Sequence, residues 1–403
     1  MEKIEKIVEE KNEKIHILFV VDHFHPYTGG LQQFVLQLAK RCKSEKVRVS
    51  VLTYNYDSKH LSDMETVDGV TIYRLPSTAL LGKTYTLPHL FSSKYRHMIH
   101  SLETMHVDFV VTNTRFFTSS VVGAHFASRI GAEHIHIEHG NRFVVHSNPI
   151  VSFCAWVFDQ TFGRWIMSRA DHVVAISHIG QTFCKLLGAK HVSIIHNATD
   201  TALFKQLDKS EKDAVLKKHS LDGSKTLVLF VGRLIEAKGL QHLFPVMAKL
   251  SYPATLVIVG EGPYYDSLAA LKKQYAVDVR FLGSLPLADV VSLTLACDIC
   301  VNPSYSEGIP TNVLEGGAAR KAVIATNVGG TKEIIHSSKE GILVSAADED
   351  ALLAAFEKFK TQGLRVTCGI HLRRRIEKEF DWSVSAEQFM QVVATLDKRR
   401  KSR

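Results

Sequence analysis

Thr226-Leu-Val-Leu-Phe-Val231 runs directly into Gly232-Arg233-Leu234-Ile235-Glu236-Ala237-Lys238-Gly239. An unbroken apolar or β-branched run, without polar alternation, reads as a strand covered on both faces, as in a parallel sheet with helices on either side. The glycine ends the strand, and two cations five residues apart follow before a helical pattern resumes. Ligands of open parallel sheets bind at the carboxyl ends of the strands. Arg233, a planar fork, and Lys238, a flexible point charge, therefore stand where a diphosphate would be held. Two solvated loop charges are the simpler alternative for this cluster taken alone.

The same grammar extends in both directions. Downstream, strands are expected at residues 254–259, 279–281, 299–301, 322–325 and 342–344. Upstream, they are expected at 15–21, 47–53, 70–74, 109–112, 134–138, 172–176 and 192–195, with amphipathic helices such as 31–42 and 118–129 between them. The pattern stops and restarts near residues 198–205. That gives two doubly wound α/β domains, 1–198 and 199–380, followed by a helix and a basic tail over 381–403.

Length and composition agree. A chain of 403 residues, 45% hydrophobic and 22% charged, suits two domains and excludes global disorder or a disulfide-built miniprotein. No apolar run reaches the ~18–20 residues of a membrane span and the first residues are charged throughout, so a cytoplasmic protein is expected. The net charge of +8 is divided evenly between the two halves, and no aromatic-interleaved basic motif suggests nucleic acid. The one dense cluster is Lys398, Arg399, Arg400, Lys401 and Arg403. It reads first as a solvated terminus, with anionic lipid as the sharper alternative. Cys297 and Cys300 spell C-x-x-C, but their apolar setting favours core cysteines over a redox or zinc pair.

Three more clusters lie where strands hand over to helices. His25-Pro-Tyr-Thr-Gly29-Gly30-Leu31 offers backbone N–H groups to an anion at a helix start, although it is not a dinucleotide fingerprint. Ser304-Tyr-Ser-Glu307-Gly308-Ile309-Pro310-Thr-Asn-Val-Leu-Glu315-Gly316-Gly317-Ala318 places a glutamate on a loop and a second on the following helix, with glycines that would admit a ligand. His134-Ile-His136-Ile-Glu138-His139-Gly140 sets three polar side chains on one strand face, where a metal is the less favoured reading, and His139 at the strand end. Asp348-Glu349-Asp350 opens a helix, so capping explains it better than metal–nucleotide binding. The aromatic stretch 148–169 reads as one helix, with core packing as the favoured explanation and a hydrophobic acceptor or membrane surface as the other.

Together these residues resemble the GT-B retaining glycosyltransferases of the family-four type. The resemblance rests on Gly29-Gly30, His139-Gly140, Val231-Gly-Arg-Leu…Lys238-Gly, Val259-Gly-Glu-Gly-Pro263, Glu307-x7-Glu315, Val328-Gly-Gly-Thr-Lys-Glu-Ile-Ile335 and Asp381-Trp382, in family order along nearly the whole chain. It departs from the family at Ala198, where a turn glycine is usual, and at the cysteines before the glutamate pair. The resemblance implies two Rossmann-like domains facing across a cleft, the first binding acceptor, the second a UDP- or GDP-linked sugar donor, and the last helix packing back on the first. It further implies donor binding by Gly29, Gly30, Arg233, Lys238, Glu307, Gly308, Ile309, Pro310 and Glu315. Catalysis would involve Glu307, Arg233, Lys238 and His139, with no cofactor and no metal. Transfer would be to a saccharide or lipid-linked glycan, at a membrane surface in the latter case. A nucleotide-sugar epimerase of the same architecture and a noncatalytic sugar-nucleotide-binding subunit are the alternatives; all four cation and glutamate positions being occupied disfavours the second.

Overall fold

The computed structural model describes residues 14–27, 29–57, 59–80, 85–143 and 148–402. The chain divides into two compact units, Asn197–Asp381 and a unit formed by residues up to His196 together with those from Trp382 onward.

The Asn197–Asp381 unit holds a six-stranded, all-parallel sheet: β10 (Thr226–Val231), β11 (Ala254–Val259), β12 (Val279–Phe281), β13 (Ile299–Asn302), β14 (Ala322–Thr326) and β15 (Ile342–Val344), in the order β12-β11-β10-β13-β14-β15. Successive side chains of a strand point to opposite faces, and the core follows that period. Leu227 and Leu229 of β10 enter one apolar cluster, with Leu314, Leu372 and Ile376. Val228 and Phe230 enter the other, with Phe244, Leu352 and Phe356. Full burial of each such side chain contributes about 1.5–3 kcal/mol. Both faces being covered, the strand reads as a continuous apolar run.

The other unit holds nine strands among the described residues: β1 (Ile15–Val20), β2 (Val47–Asn55), β3 (Met64–Val67), β4 (Val70–Leu80), β5 (Tyr85–Pro88), β6 (Phe109–Asn113), β7 (Glu133–Glu138), β8 (His172–Ala175) and β9 (Val192–Ile194). The order is β3-β4-β2-β1-β6-β7-β8-β9, with β5 also on β4. Contrary to the expectation of a purely parallel sheet, β3 and β5 run antiparallel to β4. Between Val67 and its partner Val70, Asp68 and Gly69 take φ of 51° and 74°, the two-residue Asp-Gly hairpin turn.

Trp382–Lys401 forms the last helix and belongs to this first unit, its Trp382 ring edge-on to Phe34 at 5.3 Å and its Phe389 5.8 Å from Phe19. Its basic end is not free: Arg400 pairs with Asp108 and Asp397, and Lys401 with Asp397. This leaves less of the tail for a lipid than its sequence suggests. Where the chain passes between units, Asp381 accepts from Thr201 N and Oγ1 at 3.1 and 2.6 Å, and Thr199 N donates to Phe380 O. In the first unit, Ser385 Oγ donates to His196 O at 3.0 Å.

The 148–169 stretch corrects another expectation. It is a helix Pro149–Phe158, a π-turn Asp159–Gly163 and a helix Arg164–Arg169. None of the side chains of Pro149–Phe158 is buried, so core packing does not account for its aromatics; in the last segment Ile166 and Met167 are buried. Cys297 and Cys300 are buried and unbridged, their sulfurs 3.6 Å apart. No helix among the described residues is long and apolar enough to cross a membrane.

Candidate active site

In the second unit the loops after β10, β13 and β14 are tied to one another through their backbones. Gly239, at φ 68°, lies so close to Pro303 that a Cβ would stand 2.1 Å from its carbonyl oxygen, and Tyr305 N donates to Ala237 O at 2.9 Å. Gly329, at φ 53°, would put a Cβ 1.7 Å from Glu307 O, and Gly330 N donates to Gly308 O at 2.7 Å. Only glycine fits the close approach and the positive φ together.

This backbone mesh fixes Glu307. Its Oε1 accepts from Lys238 Nζ at 2.7 Å, from Ser304 Oγ at 2.6 Å and from Asn302 Nδ2 at 3.3 Å. Asn302 also donates to Asn312 Oδ1, and Asn312 Nδ2 donates to Val231 O, so the carboxylate is tied back to the end of β10. Lys238 and Glu307, separated by 69 residues in sequence, are thus one ion pair. Arg233 is exposed and has no ion-pair partner among the described residues. Its guanidinium is therefore available to an anion. Gly308 and Pro310 lead into the helix Thr311–Ala318, whose N-terminus carries no acidic side chain in its first turn. The side chain of Ile309 is buried in the apolar core, so any contact it makes to a ligand comes from its backbone.

Glu315 lies one turn into that helix and lines a small pocket with Val231, Asn302, Asn312 and Thr294. Burial pushes its carboxyl up to about 7. Gly316 and Gly317 serve the fold instead of a ligand. A Cβ on the first would stand 2.9 Å from Cys300 Cβ, and one on the second 2.7 Å from Leu372 Cγ. These glycines let the helix approach β13 and the helix Gln362–Glu379, which corrects their reading as ligand-admitting positions.

In the first unit Gly29 is extended, caps the helix Gly30–Cys42 and accepts from Gln33 N at 2.9 Å. Gly30 is exposed, and a Cβ there would meet nothing within 4 Å. His139 follows β7, its ring edge-on to Phe34 at 4.8 Å. Burial lowers its pKa to about 4, so the ring is neutral at pH 7, and its Nε2 is a buried polar atom with no hydrogen-bond partner among the described residues. A buried ring nitrogen left in that state is one that a ligand hydroxyl would satisfy.

The polar face of β7 is a structural network. Thr112 Oγ1 lies 2.8 Å from both His134 Nε2 and His136 Nδ1, and His136 Nε2 lies 3.3 Å from Glu138 Oε2. Burial favours a protonated Glu138, but the contact with His136 and the charge of Arg115 outweigh it and hold the carboxyl at about 2. Arg115 Nη1 donates to Glu138 Oε1 at 2.9 Å, and its Nε to Asp159 Oδ1 at 2.6 Å, all three side chains being buried. Sequence reasoning missed Arg115 and Asp159. The available signal was a lone carboxylate in an apolar aromatic helix, which must be paired if buried. Among the described residues no group of His, Cys, Asp and Glu could hold a metal ion. Asp348 accepts from Ala351 N at 2.9 Å as a helix cap.

Comparison with known proteins assigns the class. Residues 29–198 match the glycosyl transferase 4-like domain and residues 211–379 match the glycosyl transferases group 1 family. The chain belongs to the family-four-type GT-B glycosyltransferases, built on two Rossmann-like domains. It is 25% identical over 395 residues to an uncharacterized glycosyltransferase of Methanocaldococcus jannaschii, covering 95% of this chain and 99% of that one. It is 24% identical over 389 residues to the GDP-mannose-dependent monoacylated alpha-(1-6)-phosphatidylinositol monomannoside mannosyltransferase of Corynebacterium glutamicum, covering 93% and 97%. Among solved structures, sucrose-phosphate synthase from Thermosynechococcus elongatus superposes with a TM-score of 0.79 at 22% identity, covering 96% of this chain and all of that one. The Anabaena protein HepE, in complex with UDP and glucose, superposes with 0.75 at 19% identity, covering 94% and 100%. The protein is a GT-B glycosyltransferase.

Proposed function

We propose that this enzyme transfers a hexosyl unit, with retention of anomeric configuration and without a bound metal, from a UDP- or GDP-linked donor to a saccharide or lipid-linked glycan. The setting is cell-envelope polysaccharide or glycolipid synthesis at the cytoplasmic face of a membrane. The observation that carries the reading is the Lys238–Glu307 pair, held by Ser304 and Asn302, with the exposed Arg233 on the same segment after β10 as Lys238. Arg233 and Lys238 bind the diphosphate and stabilise the negative charge that grows on it as the glycosidic bond breaks; fixed cations aimed at developing charge are commonly the largest catalytic term. Glu307 faces the transferred sugar, with the backbone of Gly308, Ile309 and Pro310 alongside. Glu315 accepts the ribose hydroxyls, which would meet a carboxyl otherwise poorly solvated. Gly29 and Gly30 offer backbone N–H groups to the phosphates, and His139 Nε2 contacts the donor sugar. The first domain takes the acceptor.

In the step itself the acceptor oxygen bonds to the anomeric carbon on the face from which the phosphate oxygen leaves. The acceptor's hydroxyl proton passes to that departing oxygen, and the nucleoside diphosphate is released. The corynebacterial relative, named for its action on a phosphatidylinositol mannoside, supports a lipid-linked acceptor. A screen of UDP- and GDP-sugars by melting shift, followed by anomeric analysis of the product with saccharide and lipid-linked acceptors, tests the reading. An inverted product overturns the retaining assignment. Interconversion of donor sugars without acceptor would mark an epimerase.

A further inference from the structure

The helix Pro149–Phe158 is anomalous in a soluble fold. Ile150 is 70% exposed, Phe153 63%, Trp156 47% and, in the π-turn, Phe162 50%. The rings are ordered against one another, Phe153 on Trp156 at 6.1 Å and Phe158 on Phe162 at 5.4 Å. A second apolar element lies nearby: Leu87 at the end of β5, with Leu90 and, at 93% exposure, Phe91. Both elements touch the segment after β6, one at its loop and the other at the first residue of the helix Thr118–Ile130. Phe116 of that loop stacks on Phe158 at 5.6 Å, and Thr118 Oγ1 donates to Thr86 O at 3.1 Å. Two exposed apolar elements, 60 residues apart in sequence, therefore flank one strand-end loop at the carboxyl end of the sheet.

Apart from the buried Asp159, the charges carried by the two segments are positive. Between residues 140 and 170 the sole acidic residue is Asp159, buried on Arg115; between 85 and 98 there is none. The exposed charges on these segments are Lys94, which pairs with Asp63 at 2.6 Å, Arg96, Arg142, Arg164 and Arg169, the last lying over the Trp165 ring at 5.8 Å. Exposed Trp and Phe with cations and no free carboxylate match the boundary between anionic headgroups and acyl chains better than a protein partner, whose interface would need polar complements. The base of the platform is rigid. Asp159 turns inward through the π-turn onto the buried Arg115–Glu138 pair, so docking need not order the helix.

We propose that the Pro149–Phe158 helix with its π-turn, together with Leu87, Leu90 and Phe91, is a docking surface for an anionic bilayer, on which the first unit collects a lipid-linked acceptor. The proposal rests on the lipid-linked form of the acceptor in the function proposed above, but not on the transfer chemistry. Its test uses the full chain with vesicles of phosphatidylcholine alone or with 30 mol% phosphatidylglycerol (a composition on the order of natural anionic membranes), followed by cosedimentation and by tryptophan fluorescence. Binding to the anionic vesicles with a blue-shifted emission is expected, and binding at least tenfold weaker to the neutral ones. The double variant Phe153→Glu/Trp156→Glu should lose at least tenfold in binding while keeping its melting temperature and its nucleotide-sugar binding, because neither side chain is buried in the fold. Arg164→Ala/Arg169→Ala should lose only the preference for anionic lipid. Absence of vesicle binding, or equal binding by the Phe153/Trp156 variant, overturns the proposal. So does a wild-type dimer that the same variant dissolves without changing vesicle binding, which would make the face an interface between copies. Vesicle binding without donor binding would overturn the proposed function and leave this surface standing.

Discussion

The strand-end loops of the two units are built on opposite principles. In the Asn197–Asp381 unit the loops after β10, β13 and β14 are tied backbone to backbone, and the carboxylate of Glu307 has three donors on one oxygen. In the other unit the loop after β6 is flanked by exposed aromatics that touch mainly one another. A small charged ligand has to be met by dipoles and charges already in place, since reorganising them during reaction costs rate. A large apolar or fluid ligand needs area and a rigid base instead. The Arg115–Asp159–Glu138 cluster supplies that base from beneath.

The sharpest way to break this contrast is at the cations. Arg233→Ala and Lys238→Ala should each lower kcat by about 10²–10³, with melting temperatures near wild type, because both sit on a loop. Steady-state kinetics decides, and near-normal rates in both would remove the diphosphate assignment. At the base of the other region the effect should fall on stability. Arg115→Met leaves Glu138 and Asp159 buried without their cation and should cost about 3–5 kcal/mol, read from denaturant unfolding. A loss under about 1 kcal/mol would mean water already reaches the cluster.

Next come the two glutamates, which should fail differently. Glu307→Gln should depress kcat more than it raises KM, because the charge it opposes exists only in the transition state. Glu315→Gln should mainly raise KM, since ribose does not react. Glu315 also gives a pH signature. Its carboxyl is raised in the folded protein to about 7, so the fold binds a proton that the unfolded chain releases near the ordinary carboxylate pKa of 4.5. The ionised form is thus the destabilised one, and stability falls as pH rises from about 4.5 through 7. Glu315→Gln should therefore melt higher than wild type at pH 8 by the equivalent of about 1–3 kcal/mol, with the difference closing by pH 4. An unchanged difference across that range would show the carboxyl to be solvated. The smallest expected effect is none at all: chelator should leave activity unchanged, and loss with rescue by a divalent cation would overturn metal-free transfer.

What was legible followed from range. The buried parallel strands announce themselves as apolar runs, and Glu307 stood out because a loop glutamate beside Gly308 and Pro310 has no role in helix energetics. Four-residue β3 and β5 were missed because Met64–Val67 and Tyr85–Pro88 are too short and mixed to show a period, although Asp68-Gly69 was a hairpin signal. Gly316 and Gly317 were misassigned because a glycine advertises a close neighbour without saying whether it is a ligand or Leu372. Arg115 and Asp159 are 44 residues apart, and nothing local marks them as partners. The aromatic helix was visible as composition. Its exposure depends on what the fold leaves uncovered, which periodicity does not report.

The last helix has a consequence for the order in which the protein is made. Its Trp382 and Phe389 lie against Phe34 and Phe19, so the first unit is finished only by residues made after the whole of the second. The unit in the middle is complete once Asp381 has emerged. During synthesis the second unit can thus close while the first still shows an uncovered apolar seam along Gly30–Cys42 and β1. A nascent chain stalled after Asp381 should yield its first unit to protease and keep the second.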